Sequence, residues 1–133
     1  MKGVSSYFSC GRGNLFIGTP GNGLFIRNTN GTVRRFFSSG DSGEDNIVHV
    51  TGDGKNIWLS TLNGLIIIDR NSGTVRKRFN ITNGLPHNSI KQVFLSEEGN
   101  AYVATESEKL YYVSEELELE SLNYVMSGNY INR

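Results

Sequence analysis

Apolar residues lie along this chain in runs of three or four, separated by glycine-rich or polar stretches. Runs of this length that are rich in Ile, Val and aromatic residues are typical of buried β-strands. No window of about 11–18 residues carries apolar residues at the i, i+3, i+4 and i+7 positions of an amphipathic helix. Residues 114–122 are the best helical candidate, but their Glu118-Leu119-Glu120 alternation fits an exposed strand equally well. The pattern therefore predicts an all-β chain.

The strand pattern repeats. The hexapeptide at residues 14–19, Asn-Leu-Phe-Ile-Gly-Thr, returns 42 residues later as Asn-Ile-Trp-Leu-Ser-Thr and 44 residues after that as Asn-Ala-Tyr-Val-Ala-Thr. Each copy is followed by a second apolar run, which begins at Leu24, Leu65 and Leu110. A period of about 40–50 residues with several short strands is typical of the blades of a β-propeller.

Alignment of the copies predicts four strands in each unit. The fourth strands, such as Val-Arg-Lys-Arg-Phe at 75–79, mix apolar and charged residues, which suits an outer edge, so the first strands are expected near the axis. The predicted fold class is all-β: a partial β-propeller of three four-stranded antiparallel blades. The blades are expected at about residues 4–37, 46–79 and 89–125, with 126–133 starting a further linker.

Three blades leave two apolar faces without a neighbour. Closed propellers have roughly four to eight blades, and monomers rarely expose apolar patches larger than a few hundred Å². The partners expected at these faces are the remaining blades of a longer chain or other copies of this one. Two copies would give six blades, so the isolated chain is expected to be a homo-oligomer.

The net charge is zero, but its distribution is uneven. Residues 1–91 hold eleven Lys and Arg against five Asp and Glu, whereas residues 92–133 hold two against eight. Balanced charge without a basic, aromatic cluster argues against nucleic-acid binding. The N-terminus has no apolar signal-peptide core, and the longest apolar run is too short to span a bilayer, so neither an export signal nor direct membrane contact is predicted.

The repeats resemble those of the two-component regulator propeller. The consensus sequence of that repeat is followed at residues 53–61, Asp-Gly-Lys-Asn-Ile-Trp-Leu-Ser-Thr, and at 63–65, Asn-Gly-Leu. The segment that leads into its first strand is matched at residues 84–90, Gly-Leu-Pro-His-Asn-Ser-Ile. The first copy keeps Gly-Asn-Leu-Phe-Ile-Gly-Thr at 13–19, and the third is the weakest match. The resemblance covers nearly the whole chain.

The resemblance implies a sensory role. Such repeats form the periplasmic region of hybrid histidine kinases, in which they catalyse nothing and bind a ligand, often a polysaccharide fragment, or a partner domain. The intact parent protein is therefore expected to recognise a carbohydrate and transmit a signal across the membrane. The alternative is a protein-interaction scaffold that associates with itself, and a propeller enzyme is a third hypothesis.

The sequence offers little catalytic chemistry. His49 and His87 are the only histidines and Cys10 is the only cysteine, without the spacings of a metal site. No Gly-x-Ser-x-Gly motif occurs, and the paired glutamates lie in predicted turns. We therefore expect no metal, no cofactor and no enzymatic activity.

Polar residues in the predicted loops are the candidates for ligand binding. The loops that join fourth to first strands and second to third strands share one face of a propeller, where short polar groups suit the hydroxyls of a sugar. The candidates are Asp45, Asn46, Asn63, His87 and Asn88, although turn capping is the favoured explanation of the asparagines. Trp58 corresponds to Phe16 and Tyr102 in the other copies, which favours packing between blades over sugar stacking.

Overall fold

The computed structural model describes residues 3–4, 6–9, 13–85, 88–106 and 109–122. Within these residues the chain forms β-strands and turns and no helix. His87, Cys10 and the predicted linker at 126–133 lie outside the described residues, as does the end of the last predicted strand.

The strands form three antiparallel sheets, each in simple sequence order. The first sheet contains β1 (Ser6–Ser9), β2 (Leu15–Gly18), β3 (Leu24–Arg27) and β4 (Val33–Phe37). The second contains β5 (Ile47–Gly52), β6 (Asn56–Thr61), β7 (Gly64–Asp69) and β8 (Val75–Phe79). The third contains β9 (Ile90–Leu95), β10 (Ala101–Thr105), β11 (Leu110–Val113) and β12 (Leu119–Ser121). The predicted fold, three four-stranded antiparallel units, is confirmed.

The first strands lie inside and the fourth strands outside, as predicted. Strand β1 lies against β5, so the first strands of neighbouring sheets converge. Strands β4 and β8 are exposed over most of their length. Their charged residues therefore face water at the outer rim, where they discourage pairing with other chains.

In each sheet the chain reverses direction at the two ends of the strands, and these two ends are here called edges. The edge that carries the β2–β3 and β6–β7 hairpins and the β4–β5 and β8–β9 connections is here called the loop edge. The opposite edge, with the β1–β2, β3–β4, β5–β6 and β7–β8 turns, is called the turn edge.

The repeated motifs close these hairpins by recurrent hydrogen bonds. The hydroxyl of Thr61 donates to the carbonyl of Gly64 over 2.8 Å, and Thr19 does the same to Gly23. On the turn edge, Oδ1 of Asp53 accepts the backbone N–H groups of Lys55 and Asn56 at 2.8 Å. Asp53 therefore satisfies backbone N–H groups of its own turn, and the threonine hydroxyls add hydrogen bonds to the carbonyls of the hairpin glycines.

Two apolar cores hold the sheets together. The first lies between the first and second sheets and includes Phe16, Leu24, Leu59 and Ile66. The second lies between the second and third sheets and includes Trp58, Ile67, Val103, Tyr111 and Val113. Strands β6 and β7 are buried on both faces, because the second of the three described sheets has a neighbour on each side.

Trp58 provides a direct test of this packing. Its side chain is 1% exposed between the second and third sheets, whereas Tyr102, at the equivalent position of the third sheet, is 41% exposed. Trp58→Ala should lower the free energy of unfolding by roughly 3–5 kcal/mol, because it leaves a large cavity. Tyr102→Ala, the matched control, should cost less than half as much in urea denaturation of the same chain. Equal losses would contradict the assignment of Trp58 to the core.

Gly64 tests the Asn-Gly-Leu hairpin. Its φ is +104°, and a Cβ at this position would lie 2.2 Å from the carbonyl oxygen of Phe79. Gly64→Ala should therefore destabilise the chain by at least about 1 kcal/mol. Gly54→Ala is the control, because its Cβ would meet nothing closer than 3.9 Å. A Gly64→Ala melting temperature equal to that of the control would show that the hairpin tolerates a side chain.

Candidate ligand-binding site

Asp45, on the loop edge, serves the loop that carries it. The residue is 7% exposed. Its carboxylate accepts the N–H groups of Ser39 at 2.8 Å and Gly40 at 3.1 Å, and the hydroxyl of Ser38 at 3.1 Å. Its backbone carbonyl accepts the N–H groups of two residues of the β2–β3 hairpin. Asp45 therefore fixes the β4–β5 connection, and its oxygens are already engaged.

The same connection is tied to the second sheet by an ion pair. Nε of Arg78, on β8, donates to Oε2 of Glu44 over 2.9 Å, and Glu44 is buried. The N–H of Leu62 in the β6–β7 hairpin donates to the carbonyls of Gly43 and Asn46. The loop edge is therefore held in one arrangement by several bonds between its loops.

Asn63 and Asn88 meet across the second and third sheets. Nδ2 of Asn88 donates to Oδ1 of Asn63 over 2.8 Å, and Oδ1 of Asn88 accepts the N–H of Ile81 over 2.8 Å. The structure thus brings together two of the residues predicted from the sequence. The amide of Asn88 is engaged on both sides, while Nδ2 of Asn63 makes no bond to a described residue.

Asn46 is the predicted site residue with the least engaged side chain. It is half-buried at the start of β5, and within the described part of the chain only its backbone forms hydrogen bonds. His87 lies outside the described residues, and His49 is exposed on β5. Among the described residues, Asn46 and Asn63 are therefore the groups of the predicted set that can still bond a ligand.

The turn edge holds a cleft that the motifs did not indicate. It has a volume of about 420 Å³ and lies between the first and second sheets. Its polar lining comes from strand ends and turns, and its apolar part comes from the side of the first sheet that packs on the second. The lining residues are Asn14, Phe16, Ile26, Asn28, Arg34, Phe36, Gly54, Arg70 and Asn71. Its sequence signal would have been Arg34 and Arg70 in adjacent units, near turns that share one edge.

The equivalent cleft between the second and third sheets has the opposite character. It measures about 340 Å³ and is lined by Asp53, Glu97, Glu98 and Glu115, with Lys55 as its cation. Asn56 also lines it, and Oδ1 of this residue is buried without a hydrogen-bond partner among the described residues. Equivalent positions of the repeat therefore carry different chemistry in successive clefts.

Asp69 organises the β7–β8 turn beside the first cleft. Its Oδ1 accepts the N–H groups of Asn71 and Ser72 at 2.8 Å, and Oδ2 pairs with Arg76. The bonds from the amides of Ser72 and Asn71 lower the pKa of Asp69 below its ordinary value, with a smaller contribution from Arg76. The carboxylate therefore stays charged and stays committed to its own turn.

The two outer faces have no neighbouring sheet among the described residues, although Ile17 on the first of them is only 6% exposed. The first end face is the side of the first sheet turned away from the second, and the ladders place Tyr7, Ile17, Phe25 and Arg35 there in one row. The last end face is the corresponding side of the third sheet, with the row Phe94, Tyr102, Tyr112 and Glu120. Tyr7 is 67% exposed and Phe94 54%.

Neither a metal-binding cluster nor a membrane-spanning helix occurs among the described residues. No group of three or more His, Cys, Asp or Glu side chains in this part of the chain is placed to hold a metal ion. Among the same residues there is no helix with the length and hydrophobicity needed to cross a bilayer.

Comparison with known proteins gives likenesses of fold. No protein-family model matches the chain, and no curated protein matches it. The extracellular domain of a putative one-component system from B. thetaiotaomicron superposes on 90% of the chain with a TM-score of 0.71 at 21% identity. The extracellular domain of a putative hybrid two-component system from the same organism covers 96% of the chain, with a TM-score of 0.56 and 18% identity. A streptogramin B lyase covers 90%, with a TM-score of 0.74 and 10% identity.

These likenesses define the class of the protein as a segment of a β-propeller. The chain spans 16%, 23% and 40% of the lengths of these three proteins, in the order one-component system, two-component system and lyase. Two of the three neighbours are extracellular domains of signalling systems, the class of protein that the repeats resemble. The third is an enzyme, so the fold alone does not assign an activity.

Proposed function

We propose that this chain is a non-catalytic segment of the extracytoplasmic sensory β-propeller of a hybrid two-component sensor kinase, periplasmic in its parent protein. The repeat motifs and the likeness to extracellular signalling domains support this assignment. The observation that carries the recognition step is the hydrogen bond between Asn63 and Asn88, which joins the loops of two adjacent sheets. A ligand bound across this junction contacts two blades at once.

The chemistry of the loop edge suits a neutral carbohydrate. Asn46 and Nδ2 of Asn63 offer amide groups that can pair with hydroxyls, on loops fixed by Asp45 and Glu44. His87 belongs to the same β8–β9 connection as Asn88 and completes the proposed set. A ligand at this edge transmits a signal only if it binds two arrangements of the blades with different affinity.

Neutral oligosaccharides test this proposal. The chain is titrated with gluco-, manno- and galacto-oligosaccharides in thermal-shift and calorimetric assays. We expect one series to raise the melting temperature by several degrees when the ligand is at about 100 times its Kd. Asn46→Ala should abolish the shift. Asn30→Ala, which alters an asparagine in a turn-edge hairpin, should retain it.

Two results would overturn the glycan assignment. One is the absence of binding throughout the neutral series. The other is equal binding by the Asn46→Ala and Asn30→Ala variants, which would place any sugar elsewhere on the chain.

A second candidate function, a self-associating scaffold, is favoured by the two end faces. One row of the first sheet faces the second sheet and consists of Phe8, Phe16, Ile26 and Arg34. In the third sheet, Tyr102 occupies the ladder position that corresponds to Phe16, and it lies on the outer face. On the opposite side, Ile17 and Phe25 correspond to Leu59 and Ile66, which are buried by the first sheet. The two outer rows therefore have the composition of rows that pack together inside the chain.

Charge favours a head-to-tail contact of these rows. The first end face ends its row with Arg35, which lies over the Phe25 ring at 5.5 Å, and the last end face ends its row with Glu120. Desolvation raises the pKa of Tyr112, and the neighbouring Tyr102 and Glu120 raise it further. Under this hypothesis two copies pack last face against first face, twice, and close a ring of six blades.

Sedimentation equilibrium tests self-association. The expected mass is twice the 14.8 kDa of one chain. Glu120→Arg should weaken the dimer, and the added change Arg35→Glu should restore it, because the charge pair is reversed. A monomer mass at every concentration, or a double variant no tighter than Glu120→Arg, would contradict the scaffold hypothesis.

A further inference from the structure

The cleft between the first and second sheets on the turn edge combines positive charge with amides and an aromatic ring. Arg34 comes from β4 of the first sheet, and Arg70 follows β7 of the second. No acidic side chain belongs to its described lining. Its volume of about 420 Å³ lies in the range of small-ligand pockets.

The carboxylates of Asp53 and Asp69, near the cleft, form hydrogen bonds within their own turns. Oδ1 of Asp53 accepts two backbone N–H groups of its own turn. Asp69 accepts two further amides and pairs with Arg76. Arg34 forms no ion pair with a described residue, and its guanidinium lies 5.7 Å from the centroid of the Phe36 ring. Arg34 therefore brings to the cleft a positive charge that no described carboxylate pairs with directly.

The walls of the cleft are fixed before a ligand arrives. Nη1 of Arg70 donates to the carbonyl of Asp53 over 3.3 Å, and the backbone N–H of Arg70 donates to the backbone carbonyl of Lys55 over 3.0 Å. The rings of Phe16 and Phe36 pack edge to face at 5.2 Å. A Cβ on Gly73 would lie 2.9 Å from the Phe36 carbonyl, so the β7–β8 turn closely approaches the first sheet. Preorganisation of this kind lowers the entropic cost of binding.

We propose that this cleft binds the carboxylate of an acidic sugar. An arginine presents paired N–H donors that match the two oxygens of a carboxylate. The amides of Asn28 and Asn71 on the same rim suit sugar hydroxyls, and Phe36 contributes apolar surface beside Arg34. This site lies on the edge opposite Asn46 and Asn63, and it does not depend on the function proposed for the loop edge.

Calorimetric titration with a trisaccharide of galacturonic acid tests the site, with the galactose trisaccharide as the neutral probe. The wild-type chain should bind the acidic sugar, more weakly as salt is added, whereas any binding of the neutral sugar belongs to the loop edge and should not depend on Arg34. Arg34→Gln should weaken binding about tenfold or more. Lys77→Gln is the matched control: Lys77 occupies the same ladder position in the second sheet and lies 5.6 Å from the Phe79 ring. It should bind within about twofold of wild type.

The outcomes separate this site from the loop edge. The cleft is supported if Arg34→Gln loses binding of the acidic sugar while its melting temperature is unchanged. Lys77→Gln and Asn46→Ala should then bind the acidic sugar as the wild type does. No binding of the acidic trisaccharide by wild type overturns the proposal. Equal affinities of Arg34→Gln and Lys77→Gln for the acidic trisaccharide, or an equal loss of acidic and neutral binding in Arg34→Gln, also overturn it.

Discussion

The burial of one apolar sheet face against the next is the interaction on which the rest of this structure depends. A four-stranded sheet in this chain is apolar on both sides, so it needs a neighbour on each. The second sheet has both neighbours, and β6 and β7 are buried along almost their whole length. The first and third sheets have one neighbour each, which leaves Tyr7 and Phe94 in water.

This packing also positions the polar chemistry. Because the sheets stack side by side, the turns of neighbouring sheets meet at the two edges, and each junction creates a place where residues from two units converge. Asn63 and Asn88 meet in this way on the loop edge. Arg34 and Arg70 line a common cleft on the turn edge. Function in such a fold therefore depends on the residues at each junction, which vary while the strands repeat.

Much of the architecture could be predicted from the sequence, and less of the candidate site. The Asn-to-Thr hexapeptides mark β2, β6 and β10, and their spacing gives the number and order of the strands. The loop positions of Asp45 and Asn88 were also predictable, but not their bonding. The carboxylate of Asp45 accepts hydrogen bonds from residues 38–40, and the side-chain amide of Asn88 bonds to both Ile81 and Asn63. These hydrogen-bond partners are distant in sequence or lie in irregular loops, so the periodic pattern of the sequence does not predict them.

The sequence by itself determined the strands, their antiparallel order and the exposure of the fourth strands, because these follow from local hydrophobic spacing and turn residues. It also predicted that Trp58 packs between sheets, because Phe16 and Tyr102 at the equivalent positions are aromatic too, whereas the presence of a neighbouring sheet decided that Trp58 is buried and Tyr102 is 41% exposed. Only the tertiary structure decided which polar groups remain available and where cavities form. The cleft beside Arg34 shows the reason: its charge, amides and rings come from two sheets, and their distances are set by how those sheets pack, not by their positions along the chain.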